Sequence, residues 1–295
     1  MKFRTLTAAL AAAVTLAAAG SLTGAAAAPS GVSGDGGNRI ATLRSSGEAY
    51  VKEGGLSAQW VKEYDGVKQI VLAGDRVGVL TGNGTALVKE GGLSAEWVTE
   101  YDGVKQLALS GNRIGVVTDS GTALVKEGGL SASWVTEYEG VKELELSGNR
   151  IGIVKGNGEA LVKEGGLSAS WVTEETNVVD IDLAGNRIGV LKGNGLARVK
   201  EGGLSASWVD EYNDVVQLEL SRDRIGVLSS GGVALVKEGG LSTGWVREHD
   251  HVVQIALSGN RIGVLTGAGL ARVKEGGLSA AWVDEADNVT ELALS

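Results

Sequence analysis

Tryptophan falls at positions 60, 97, 134, 171, 208, 245 and 282, a spacing of 37 residues kept without a slip. A fixed period of this size constrains the fold more than any other feature of the chain. Each repeat is one supersecondary unit too small to bury its own apolar faces, so copies must stack on one another. Units starting at residues 37, 74, 111, 148, 185, 222 and 259 account for residues 37–295.

The second unit, from Gly74 to Ser110, reads GDRVGVLTGNGTALVKEGGLSAEWVTEYDGVKQLALS. Runs rich in β-branched and aliphatic residues predict four short strands, at Arg76 to Leu80, Thr85 to Glu90, Glu96 to Tyr101 and Val104 to Ser110. Turn chemistry separates them: Gly82-Asn83-Gly84 suits a tight hairpin, Gly91-Gly92 opens a loop, and Asp102-Gly103 makes the next turn. No stretch of the unit has helical spacing. Strand parity sets Leu87 and Lys89 against Ala86, Val88 and Glu90, so both faces carry apolar residues and both must be covered.

Four-stranded sheets with two buried faces stack as a closed ring or as an open solenoid. A solenoid needs atypical polar end units, whereas the first unit here (Gly37 to Ala73) and the last (Gly259 to Ser295) keep the pattern of the middle ones. The phase supports closure as well. The repeat region begins with a strand at Arg39 and ends with one at Val289 to Ser295, so the last strand can complete a sheet begun by the first three. The expected fold is all-β: a seven-bladed β-propeller with four short antiparallel strands per repeat, its N- and C-terminal strands sharing one composite blade.

Ahead of the repeats, Lys2 and Arg4 precede an apolar stretch from Leu6 to Ala19 and the small-residue run Ala25 to Ala28. This reads as a signal peptide over 1–27, cut after Ala27, because Pro29 would hinder a cut one residue later. The apolar run is shorter than the ~18–20 residues a membrane span needs. Residues 28–36 read as a flexible linker, and the mature protein is expected to be secreted, with no membrane insertion. Without cysteine the chain has no disulfides, zinc–thiolate sites or thiol chemistry. Loss of the leader leaves 25 basic against 36 acidic residues, a balance that argues against a nucleic-acid partner. The composition has 47 glycines but lacks the strict period of a collagen.

The order VKQLALSGNRIGVV, then GTALVKEG, then a loop and SWVTEY resembles the tectonin and tachylectin-like lectin propellers across residues 37–295. The units depart from that family in carrying a VKEGGLS block and few aromatics. The resemblance implies non-catalytic sugar binding at repeated sites, in clefts between blades or on blade loops.

Each unit also carries Lys-Glu-Gly-Gly-Leu-Ser ahead of its tryptophan. An indole face packs on a pyranose while ammonium and carboxylate groups bind its hydroxyls, so these residues form the candidate carbohydrate sites. They are Trp60, Trp97, Trp134, Trp171, Trp208, Trp245 and Trp282, with Lys52, Lys89, Lys126, Lys163, Lys200, Lys237 and Lys274, and Glu53, Glu90, Glu127, Glu164, Glu201, Glu238 and Glu275. Each has a competing structural reading. The indoles can wedge between blades, Lys89 can lie over Trp97 across its hairpin, and Lys and Glu can form a ring of inter-blade ion pairs. Glu100 and its counterparts are expected to bond a neighbouring loop.

Other candidates are weaker. His249 and His251 lack further metal ligands in the sequence, and Glu145, Asp182 and Glu219 share one position on the strand placed innermost, where they read as a solvated acidic patch or a cation site. No Ser-His-Asp set or phosphate-cradling loop appears, so no enzyme activity, metal or cofactor is expected. The expected function is a secreted multivalent lectin, monomeric, with cell-surface or cell-wall glycans as partners. The alternative is a protein-binding scaffold propeller using the positions where the repeats differ. These include Gln59, Glu96, Ser133, Ser170, Ser207, Gly244 and Ala281, and the turns around Tyr64-Asp65, Glu174 to Thr176 and His249 to His251.

Overall fold

A computed structural model describes residues 38–295, so the leader and linker expected over 1–36 lie outside the described residues. The chain forms a seven-bladed β-propeller, each blade a four-stranded antiparallel sheet. The second blade shows the pattern: an innermost strand at Val67–Ala73, a second at Arg76–Thr81, a third at Ala86–Glu90 and an outer one at Val98–Tyr101. The innermost strands of neighbouring blades touch one another around the axis.

The composite blade is present as expected. Val289–Leu294 pairs with Arg39–Arg44, followed by Ala49–Glu53 and Val61–Tyr64. We number this blade 1, and blades 2 to 7 begin at Val67, Val104, Val141, Val178, Val215 and Val252. Ring closure therefore ties the two ends of the repeat region through Ile40↔Leu294 and the pairs beside it.

The outer strand differs in one respect from its sequence reading, starting at Val98 rather than Glu96. Pairing with the third strand stops at Val88↔Val98. Beyond it the chain turns, with the Ala95 amide on Gly92 O at 2.9 Å and the Lys89 ammonium on Leu93 O. Trp97 thereby sits on a loop at the blade edge.

The core lies between blades. One cluster joins Val71, Leu80 and Val88 of blade 2 to Leu107, Leu109 and Ile114 of blade 3, and each fully buried aliphatic side chain of this kind contributes about 1.5–3 kcal/mol. In six blades a glycine in the second strand lets the sheets approach closely, and blade 1 has the small Ala41 there. A Cβ built on Gly115 would lie 2.7 Å from Leu144 Cδ2 and 3.1 Å from Leu146 Cδ1 of the next blade.

The ring has two faces. One carries the Gly91–Trp97 type of loop and the Gly74-Asp75 type of turn, and scarcely varies from blade to blade. The other carries the hairpin turns and the outer-to-inner turns, such as 82–84 and 102–103, whose residues vary around the ring. They are called the uniform face and the variable face below.

Candidate functional site

The repeated Lys, Glu and Trp come together at the seams between blades, close to the uniform face. Lys126 is 1% exposed. Its ammonium binds the Glu100 carboxylate of the preceding blade and the Leu130 carbonyl, and lies 5.1 Å from the centroid of Trp134. The same arrangement recurs as Lys89–Glu63, Lys163–Glu137, Lys200–Glu174, Lys237–Glu211 and Lys274–Glu248, and Lys52–Glu285 joins the two ends of the repeat region. The cation–π contact expected of Lys89 and Trp97 is present at 5.1 Å. The partner carboxylate comes from the outer strand of the blade before, not from the adjacent Glu90. Glu100, expected to bond a neighbouring loop, instead binds the Lys126 ammonium and is one member of this belt.

Glu53, Glu90, Glu127, Glu164, Glu201, Glu238 and Glu275 belong to a second belt. Arg76 donates to Glu90 through Nε at 2.9 Å and Nη2 at 2.8 Å, and Nη2 reaches Gly128 O of the following blade at 2.6 Å. Arg39, Arg113, Arg150, Arg187, Arg224 and Arg261 repeat the clamp, the last reaching Gly54 O across the closure. Sequence reasoning passed over these arginines, although the signal was visible as an arginine at the same position of all seven units.

The tryptophans are half-buried. Trp97 has Lys89 over its ring and meets Tyr64 of the preceding blade edge-on at 5.6 Å and 74°. His249 takes the tyrosine's place against Trp282 at 5.7 Å, while its Nδ1 lies 2.7 Å from Asp250 O and its Nε2 2.8 Å from Arg272 Nη1. Among the described residues no group of three or more His, Asp or Glu is placed to hold a metal ion.

Around the axis a third set of contacts links the innermost strands. Gln106 Nε2 donates to Leu144 O at 3.1 Å, and its Oε1 accepts from the Leu144 amide at 2.9 Å. Gln69, Gln217 and Gln254 make the same two-point bridge. Glu143, Asp180 and Glu291 stand at that register in the other three blades. Two residues on lie Glu145, Asp182 and Glu219. They are not a solvated patch: they are 1%, 5% and 4% exposed. Burial, then the neighbouring Asp182 charge, pushes Glu145 and Glu219 well above the usual carboxylate range, and burial does the same to Asp182 and Glu143. Glu145 Oε2 has no hydrogen-bond partner.

These contacts correct the expectation of glycan partners. The ammonium groups meant to grip sugar hydroxyls are buried and already carry a carboxylate, a carbonyl and an indole, and the carboxylates beside them are held by arginine. Accessible positions include several where the repeats differ. On the uniform face the clearest is Arg222, which replaces a glycine present in the other six units. It borders a cavity of about 700 Å³ with Asn186, Arg187, Glu201 and Asp223.

No protein-family model and no curated protein matches the chain. Solved structures share its fold. Kluyveromyces lactis Hsv2 aligns with a TM-score of 0.59 at 11% identity, over 84% of this chain and 93% of that one. Human WBSCR16 gives 0.59 at 10% over 76% and 83%. Yeast RCC1 (Prp20), in a structure bound to Kap60, gives 0.60 at 8% over 77% and 74%. A second structure of Prp20p from Saccharomyces cerevisiae, described with its binding properties to Gsp1p and histones, gives 0.58 at 9% over 76% of each chain. At such identities the likeness concerns the fold, and the comparisons lend no support to the tectonin and tachylectin-like family beyond the propeller itself.

Among the described residues no helix is long and apolar enough to cross a membrane.

Proposed function

We propose that the protein is a non-enzymatic binding propeller that holds a protein partner on its variable face. The observation that carries this reading is the division of labour between positions. The repeated lysines and arginines are consumed between blades, whereas the turns of one face vary around the ring and keep their side chains accessible. A single asymmetric partner needs unlike groups around a ring. Seven identical contacts would serve a repeated ligand instead.

The fold neighbours agree with this class of partner: the RCC1 (Prp20) structures concern binding to Kap60, Gsp1p and histones. The leader with Lys2, Arg4 and its apolar run supports export, so the partner is sought outside the cell or on its surface.

Affinity capture with the mature chain, followed by titration against the purified captured protein, tests the reading. One partner binding at one-to-one stoichiometry is expected, with its affinity altered by substitutions in the variable turns. A partner whose binding responds only to substitutions on the uniform face would overturn the assignment of the face. Failure to capture any protein would overturn the assignment of partner class.

A further inference from the structure

The second residue of each innermost strand stands where the ring's axis opens on the variable face. In blades 2, 3 and 4 it is Lys68, Lys105 and Lys142, and in blades 5, 6 and 7 it is Val179, Val216 and Val253. The two kinds are segregated, each filling a continuous arc.

A second position changes at the same boundary. The turn residue two places earlier is Gly66, Gly103 or Gly140 in the lysine arc. In the valine arc it is Asn177, Asp214 or His251, held at φ 55°, 62° and 57°. Side chains at left-handed positions are disfavoured, yet blades 5, 6, 7 and 1 carry four in a row, the last being Asn288 at φ 58°. Beside the lysine arc the hairpin turns place Glu48, Thr85 and Thr122, and beside the valine arc Glu159, Leu196 and Val233. Each such turn adjoins the next inner strand, as Val215 N on Gly195 O at 2.9 Å and Val252 N on Gly232 O at 2.9 Å show.

Three of the seven positions are thus apolar and accessible, with Val179, Val216 and Val253 at 37%, 44% and 37% exposure. Three more are cationic, and the seventh is Thr290 of blade 1. Lys105 and Lys142 donate only to backbone carbonyls of the next blade, Val141 O and Val179 O, each at 3.0 Å, which leaves donors free. None of the three lysines forms a salt bridge among the described residues, while the nearby Asp65 is already held by Lys62 at 2.7 Å. Glu143 and Asp180 lie just inside the mouth, and burial shifts both toward their neutral acids, which weakens their opposition to an incoming anion.

We propose that this mouth docks one acidic amphipathic segment of the protein partner, its apolar side chains on Val179, Val216 and Val253 and its carboxylates on Lys68, Lys105 and Lys142. The inference rests on the reading of the protein as a protein-binding propeller and narrows it to a place and a ligand chemistry. Apolar contact supplies the desolvated centre and the lysines set the orientation.

Selection of a displayed random 16-residue peptide library on the whole chain tests it, with anisotropy titration of the selected peptides. Peptides combining Asp or Glu with Leu, Ile or Phe are expected. Val216→Glu and Lys105→Glu should each weaken their binding more than tenfold while leaving the thermal melt in place, since both sites are exposed. A peptide with its acidic residues changed to Lys should regain binding on the K105E variant. Basic peptides, or peptides indifferent to both substitutions, would overturn the proposal. Peptides lost on Arg222→Ala would move binding to the uniform face and overturn it while sparing the wider reading of a protein binder. Absence of any selected peptide would also overturn it, and coupled with failure to capture a protein would remove both readings.

Discussion

The two faces of the ring are built from the same 37-residue unit, yet they have diverged to different degrees. On the uniform face the Lys–Glu–Trp and Arg–Glu–Gly belts recur seven times, because every seam presents the same geometry and needs the same bonds. On the variable face the turns need only to reverse the chain, which many residues do, so their side chains are free to differ. The repeated lysines, arginines and their carboxylates here serve the seams, and the proposed recognition is to be sought where the repeats disagree.

The comparison breaks most sharply at the buried belt. Lys126→Met leaves the Glu100 carboxylate buried without its cation and is expected to cost about 3–5 kcal/mol, measured by urea unfolding. The double substitution K126M/E100M should recover most of that loss. If the single variant is as stable as the parent, the belt is not a structural element. Next in size, Arg113→Leu removes the link to Gly165 O and should cost about 1.5–3 kcal/mol in the same measurement.

Around the axis the expected sign reverses. Glu145 is buried with one oxygen unpartnered, so Glu145→Leu should raise stability at neutral pH by about 1–3 kcal/mol. Its folded-state pKa lies above the ordinary value of 4.5, so the folded chain binds the proton more tightly than the unfolded one. The stability this confers is fully present below about pH 4.5 and is lost as pH rises through the folded value. Thermal melts of the parent should therefore drop as pH rises from 4.5, and the drop should be smaller in the E145L variant. A parent that gains stability over that window would contradict the buried-acid account.

The variable face should respond least. Asp214→Gly relieves a left-handed side chain and should gain at most about 1 kcal/mol. Val216→Ser should stay within about 0.5 kcal/mol of the parent by thermal melt, although partner binding falls. A large destabilisation by V216S would erase the contrast between the faces.

Much of the fold was legible in the chain. The tryptophan period gave the number of units, the Asn-Gly and Asp-Gly pairs gave the turns, and the phase of the first and last strands gave the composite blade. Read from sequence, the strand at Glu96 is two residues too long, since periodicity does not reveal that Lys89 captures the Leu93 carbonyl and bends the chain away. The seam chemistry was half legible. Lys89 over Trp97 followed from strand parity, but the partner of the lysine did not, because Glu63 is 26 residues away in another blade. Glu145, Asp182 and Glu219 were placed on the correct strand and in the wrong medium, as alternation alone does not distinguish a water-filled axis from a packed one.

The sequence alone determined the seven units, their strands and turns, and their closure, because period, parity and turn chemistry are local properties that each repeat states for itself. Only the tertiary structure decided which charges are spent and which are available. A carboxylate's partner and burial depend on how one blade meets the next, and that distance is written in no single repeat.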